Sequence, residues 1–152
     1  MSMKTTLQML IAVFIFVAAI QLQAQMPAGG FAGNWKANFE KSKFPGPPPK
    51  VDECTVDADG TVTVNEVNPE GKSLSWHYTP VPGKAVSLVG RDGKVTVKKV
   101  NSHKNEQTWD FNGREAKSTA VLSKDGKTTT FTMDGTDKDG KPFHEEVVYD
   151  KQ

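Results

Sequence analysis

Among its 152 residues the chain has one cysteine, Cys54. A single thiol closes no intramolecular disulfide, so stapled secreted scaffolds are excluded and the fold must rest on core burial or on closing its own sheet. In Val51-Asp52-Glu53-Cys54-Thr55-Val56 the cysteine suits a small buried apolar role better than that of a reactive thiol. Excess charge is missing too, with 19 Lys and Arg against 18 Asp and Glu. Such balance leaves no basic footprint for nucleic acid and no pull toward an anionic membrane surface. Past residue 24 no ten-residue stretch repeats its apolar residues at the helical period of 3.6. Catalytic motifs are absent as well: there is no Gly-x-Ser-x-Gly, no Cys/His pair and no phosphate-cradling glycine loop. An enzyme would have to be assembled from residues scattered over several strands.

The one long apolar run lies at the start. Met9 to Ile20 is twelve residues long, the length of a signal-peptide core and short for a bilayer-spanning helix. Lys4 precedes it, and Gln21-Leu22-Gln23-Ala24 supplies a polar stretch ending in a small residue. Residues 1–24 are therefore expected to be a signal peptide cleaved after Ala24, with the product periplasmic or secreted. An uncleaved N-terminal anchor is the alternative. Cleavage leaves 128 residues, one domain's worth, with 18 basic and 18 acidic side chains and no further segment for stable membrane insertion.

The rest of the chain has the pattern of strands. Residues 25–30 read as a flexible lead-in, and Phe31 to Phe39 as a first strand with Trp35, Ala37 and Phe39 on one face. Phe44-Pro45-Gly46-Pro47-Pro48-Pro49 lacks the N–H groups of a helix or central strand and reads as an extended crossing. Beyond it the period is two. Val62 and Val64, Trp76 and Tyr78, Val95 and Val97, Trp109 and Phe111, Phe131 and Met133, and Phe143, Glu145, Val147 and Tyr149 each share a face. Between these segments lie Asp59-Gly60, Asp92-Gly93, Asn112-Gly113, Asp125-Gly126 and Asp139-Gly140, the dipeptides of tight hairpins. The expectation is an all-β domain over residues 31–152, an antiparallel up-and-down meander of about eight to ten strands. An open meander exposes two edges, so closure into a β-barrel is favoured over the alternative β-sandwich.

Phe31-Ala32-Gly33-Asn34-Trp35-Lys36 resembles the first-strand G-x-W signature of the calycin superfamily, which includes lipocalins and fatty-acid-binding proteins. The resemblance implies a barrel whose closed end is plugged by Trp35 beside Gly33. Val148-Tyr149-Asp150-Lys151 is likewise similar to the last strand of fatty-acid-binding proteins. Two departures matter. That family places a helical lid after strand one, where this chain has its prolines. It also carries an Arg two positions before the terminal Tyr to hold the ligand carboxylate, and here that residue is Val147. A fatty-acid function therefore does not carry over. The motifs Gly33-Asn34-Trp35-Lys36, Lys41-Ser42-Lys43-Phe44 and Gly140-Lys141-Pro142-Phe143 also resemble a group of small exported bacterial proteins, a likeness that brings no activity with it.

Three histidines, His77, His103 and His144, lack the His-x-His spacing that sets two imidazoles on one strand face, and no metal or other cofactor is expected. Asp57-Ala58-Asp59-Gly60 and Asp137-Lys138-Asp139-Gly140 lack the remaining ligands of a calcium loop. The functional question is whether the interior is filled. Arg114, Ala116, Ser118 and Ala120 share one parity, so small side chains lie beneath a long cation. Glu145 falls on the apolar parity of its strand, and an inward charge is costly unless it is paired or faces a wet cavity. The candidate ligand-binding set is Trp76, Tyr78, Trp109, Phe111, Arg114, Phe131, Met133, Glu145 and Tyr149. The leading expectation is an exported, non-enzymatic barrel for a small, partly apolar ligand. A cell-envelope structural or interaction module with a filled core comes second, and a hydrolase or metal-dependent enzyme third.

Overall fold

A computed structural model describes residues 25–152, so the expected signal peptide and its cleavage site lie outside the described residues. Ten antiparallel strands form one sheet: β1 (Gly33–Ala37), β2 (Val51–Val56), β3 (Val62–Val67), β4 (Ser73–Tyr78), β5 (Ala85–Ser87), β6 (Lys94–Asn101), β7 (Lys104–Phe111), β8 (Arg114–Leu122), β9 (Thr128–Thr136) and β10 (Pro142–Lys151). Their order is β4-β3-β2-β1-β10-β9-β8-β7-β6-β5, a meander in which every pair but β1–β10 is sequential. One continuous sheet excludes the sandwich. Its two edges meet beyond β5, where His77 and Val89 exchange backbone hydrogen bonds of 2.9 Å each way. The barrel is thus nearly closed, with a seam one residue pair long. Pro80 and Pro82 precede β5 and offer no N–H, which accounts for so short an edge strand.

Turn chemistry sets the hairpins. Asp59, Asp110, Asp125 and Asp137 each accept a backbone N–H with their own carboxylate at 2.7–3.1 Å. Asn112 is the one non-glycine with positive φ among the described residues, at 55°, and with Gly113 it makes the two-residue turn joining Phe111 to Arg114.

The first strand is shorter than its apolar alternation suggests. Phe31 ends a 3-10 turn, Gly29–Phe31, and Phe39 opens another, Phe39–Lys41. The second turn is stabilised by Asn38, whose side chain accepts Lys41 N–H at 3.2 Å while its carbonyl accepts the Ser42 hydroxyl at 2.7 Å. The lead-in is also packed rather than loose: Met26 is buried in the main core and Ala28 N–H bonds Ala58 at 3.1 Å.

Antiparallel alternation places the lead-in and the turns around residues 57–61, 79–84, 102–103 and 123–127 at one end, the base. The turns near 68–72, 88–93, 112–113 and 137–141 lie at the other, the mouth, with the proline crossing. That crossing is no lid of helices: the described residues contain no α-helix, and the chain instead runs along β10 through a Lys43–Glu146 bridge. No helix among them is long and apolar enough to cross a membrane.

Candidate functional site

The base is plugged. Trp35 is 3 % exposed, packs with Phe31 and Leu122, and donates its indole N–H to the Phe31 carbonyl at 2.8 Å. Lys151 lies over the outer part of this plug, its ammonium 5.3 Å from the Trp35 ring centre. Its side chain runs close over Gly33, whose φ of +139° favours glycine, while the 2.7 Å approach of a Cβ to the lysine Cε could be relieved by the flexible side chain.

Above the plug the interior is half solid and half hollow. Trp76 and Tyr78 of β4 meet Trp109 and Phe111 of β7 in a run of stacked and edge-on rings with centres 5.8–6.1 Å apart. Val95 and Val97 of β6 and Ala116 of β8 complete this core. Against it lies a cavity of about 460 Å³, within the usual range for small-molecule sites. All nine residues of the candidate set line it. Phe131 and Met133, though on the inward parity, are only half-buried because part of their surface faces this space. Arg114 is exposed and stands at the mouth rather than deep inside, because it directly follows the Asn112-Gly113 turn.

The cavity wall is not uniformly apolar. Trp109 donates to the Ser118 hydroxyl at 2.7 Å, which in turn donates to Gln107 at 2.6 Å, so this buried chain is satisfied from within. Elsewhere partners are missing: Asp52 Oδ1, the Trp76 indole N–H and Thr129 Oγ1 are buried, line the cavity and bond no protein atom. Each such group costs stability unless something occupies the space it faces.

Asp52 sits on β2 and is 5 % exposed. Tyr149 of β10 reaches across β1 to donate its hydroxyl to Asp52 Oδ2 at 2.8 Å. Ala37, the β1 residue paired with Tyr149, is small enough to let the ring pass. Burial dominates the carboxyl and pushes it from its ordinary 3.8 up to about 7; the Tyr149 bond opposes that shift, and the charges of Glu66, Glu145 and Glu53 add to it. Glu145 is raised as well, first by burial and then by Glu66. Burial pushes the Cys54 thiol up to about 12, which makes it inert as a nucleophile.

Arg91 also lines the cavity, within the field of Glu66, its guanidinium carbon 5.1 Å from the Trp76 ring centre and 4.8 Å from that of Phe111. Gly90 permits this turn, since its φ is +94° and a Cβ would collide with the Ser75 carbonyl. Asp52, Glu66 and Arg91 were not in the sequence-derived set. The two acids share the parity of Cys54 and of Val62 and Val64, so alternation alone carries a signal for them. Arg91 lies in a turn, outside any periodic pattern.

His77 and His144 are exposed, the latter paired with Asp134 at 2.6 Å. Among the described residues no group of three or more His, Cys, Asp or Glu is arranged to hold a metal ion.

This architecture is a calycin-like β-barrel. The chain resembles the Schistosoma mansoni fatty acid binding protein solved in complex with arachidonic acid, with a TM-score of 0.59 and 18 % identity, over 84 % of this chain and 99 % of that one. It also resembles Echinococcus granulosus fatty-acid-binding protein 1, with a TM-score of 0.56 and 14 % identity, over 80 % of this chain and 97 % of that one. No family model and no curated protein sequence matches the chain. At such identity the likeness is one of fold.

Proposed function

We propose that this protein is an exported, non-enzymatic β-barrel that binds one small, partly apolar molecule inside the barrel. The observation that carries the reading is the hollow: about 460 Å³ of mostly apolar space, faced by three buried polar atoms without protein partners. A module with a filled core would have no use for such a space. The relatives in fold are named for binding fatty acids, which supports a lipophilic ligand without defining its polar end. Export rests on the Met9–Ile20 run and the Ala24 junction.

Two experiments test this. Titration of the mature protein with a neutral lipophilic dye, N-phenyl-1-naphthylamine, should quench tryptophan fluorescence saturably at one equivalent, because Trp76 and Trp109 line the cavity. Quenching that never saturates would speak for surface adsorption and a structural role. Mass spectrometry of protein recovered outside the cytoplasm should find Gln25 at the N-terminus; an intact Met1 in the membrane fraction would overturn cleavage.

A further inference from the structure

We propose that the polar end of the site is the Asp52–Tyr149 pair, and that the molecule it takes carries a protonated amine on an apolar body. The proposal rests on the reading of the interior as a binding cavity and names the chemistry of its ligand. Four observations converge on it. Asp52 is 5 % exposed, its Oδ1 has no partner, and it faces the cavity. Thr129 Oγ1, a hydroxyl able to accept a hydrogen bond, is a further buried polar atom on the same space that no protein group satisfies. The only hydroxyl proton of Tyr149 is committed to Asp52 Oδ2, at 2.8 Å, so the tyrosine has none left for a ligand carboxylate. Val147, where the resembling family carries its carboxylate-binding Arg, is 1 % exposed and part of the packed wall.

Charge points the same way. Asp52 and Glu66 are ladder partners on β2 and β3, and Glu145 approaches from β10. These three carboxylates line the interior cavity and also an outer groove of about 520 Å³ between the proline crossing and the β3–β4 turn. The acids therefore stand where the two spaces adjoin, with Phe44, Pro45 and Leu74 on the outer side. An ammonium group placed there gains charge-assisted hydrogen bonds from Asp52 and the field of Glu66 and Glu145, while its apolar body lies against Phe131 and Met133. An anionic head at the same place would meet three acids, with only the uncharged Trp76 indole N–H and Thr129 hydroxyl as unpaired buried donors on the cavity. Of the nearby cations, Arg91 is held between Trp76 and Phe111, where it feels the Glu66 charge, Arg114 is exposed beside the Asn112-Gly113 turn, and Lys72 lines the outer groove, so none is paired with Asp52.

The test is calorimetric titration with dodecylamine, dodecanol and dodecanoic acid, below their aggregation concentrations and alongside the neutral dye. The amine should bind roughly tenfold or more tighter than the alcohol, with the acid weakest. Asp52→Asn keeps the shape and an acceptor for Tyr149, so the dye should still bind while the amine falls to the level of the alcohol. Amine affinity should also rise from pH 6 to pH 8 as Asp52 loses its proton, under the influence of Glu66 from β3, Tyr149 and Glu145 from β10 and Glu53 alongside; Asp52→Asn should flatten that rise. Dye binding with the acid equal to or better than the amine overturns this proposal alone. An amine preference that survives Asp52→Asn and persists in Glu66→Gln/Glu145→Gln overturns it too, as would loss of acid binding in Arg91→Ala. Failure of the dye and of all three amphiphiles removes the cavity reading together with this one.

Discussion

A buried aspartate that holds its proton near neutrality makes a signature in stability. The Asp52 carboxyl goes from its ordinary 3.8 in the unfolded chain up to about 7 in the barrel, chiefly through burial. Between those values the folded state binds a proton that the unfolded state has released, so stability falls as pH rises. The contribution is complete below about 3.8 and lost as pH climbs through about 7, a swing of about 4 kcal/mol. Glu145, raised by burial and Glu66, acts in the same direction. Thermal unfolding followed by circular dichroism should therefore give a higher Tm at pH 5 than at pH 8. Asp52→Asn should remove most of that difference and raise the Tm at pH 8. Trp35 makes the opposite kind of prediction. Its ring is buried against Phe31 and Leu122 at the base, so Trp35→Ala should cost about 3–5 kcal/mol, read as a lowered urea midpoint. An unchanged midpoint would mean that Trp35 does not plug the base. Alternation along β10 was enough to single out Glu145 and Tyr149 from the sequence. Along β2 Asp52 is harder to read, because adjacent acids at Asp52-Glu53 look like an exposed edge until the inward phase is set. Arg91 left no periodic trace, since its placement depends on the seam between β4 and β5.

Among the elements, strand existence followed directly from alternation and Asp-Gly or Asn-Gly turns, which encode local geometry. Strand ends did not. The apolar parity of Phe31, Trp35, Ala37 and Phe39 continues through both 3-10 turns, while the Asn38 side chain decides where β1 stops. The prolines of residues 45–49 correctly excluded a helical crossing. Least legible was closure, which rests on one His77–Val89 pair beyond the three-residue β5. A seam this short should open more readily than the long β7–β8–β9 ladders. Native-state hydrogen exchange should show the amides of β5 and of Val89 exchanging well before those of β8. Equal protection across the sheet would mean that the barrel opens only by global unfolding.

For the molecule as a whole, one sheet solves two problems of a domain without a disulfide: it removes most of its exposed edge and encloses apolar surface. The aromatic core on β4 and β7 supplies rigidity, leaving the β9–β10 side free to face a hollow. Cavities of this kind tend to lower stability, and this one also strands three polar atoms, so an occupant of suitable chemistry explains both costs together. Beyond residue 24 the chain has two methionines, Met26 and Met133, and both line the cavity. They are natural reporters. With ¹³C-methyl labelling of methionine in the protein lacking residues 1–24, a titration with N-phenyl-1-naphthylamine should move both methyl resonances and saturate them together at one equivalent. Methyl resonances that stay fixed while surface amides shift would contradict a ligand site inside the barrel.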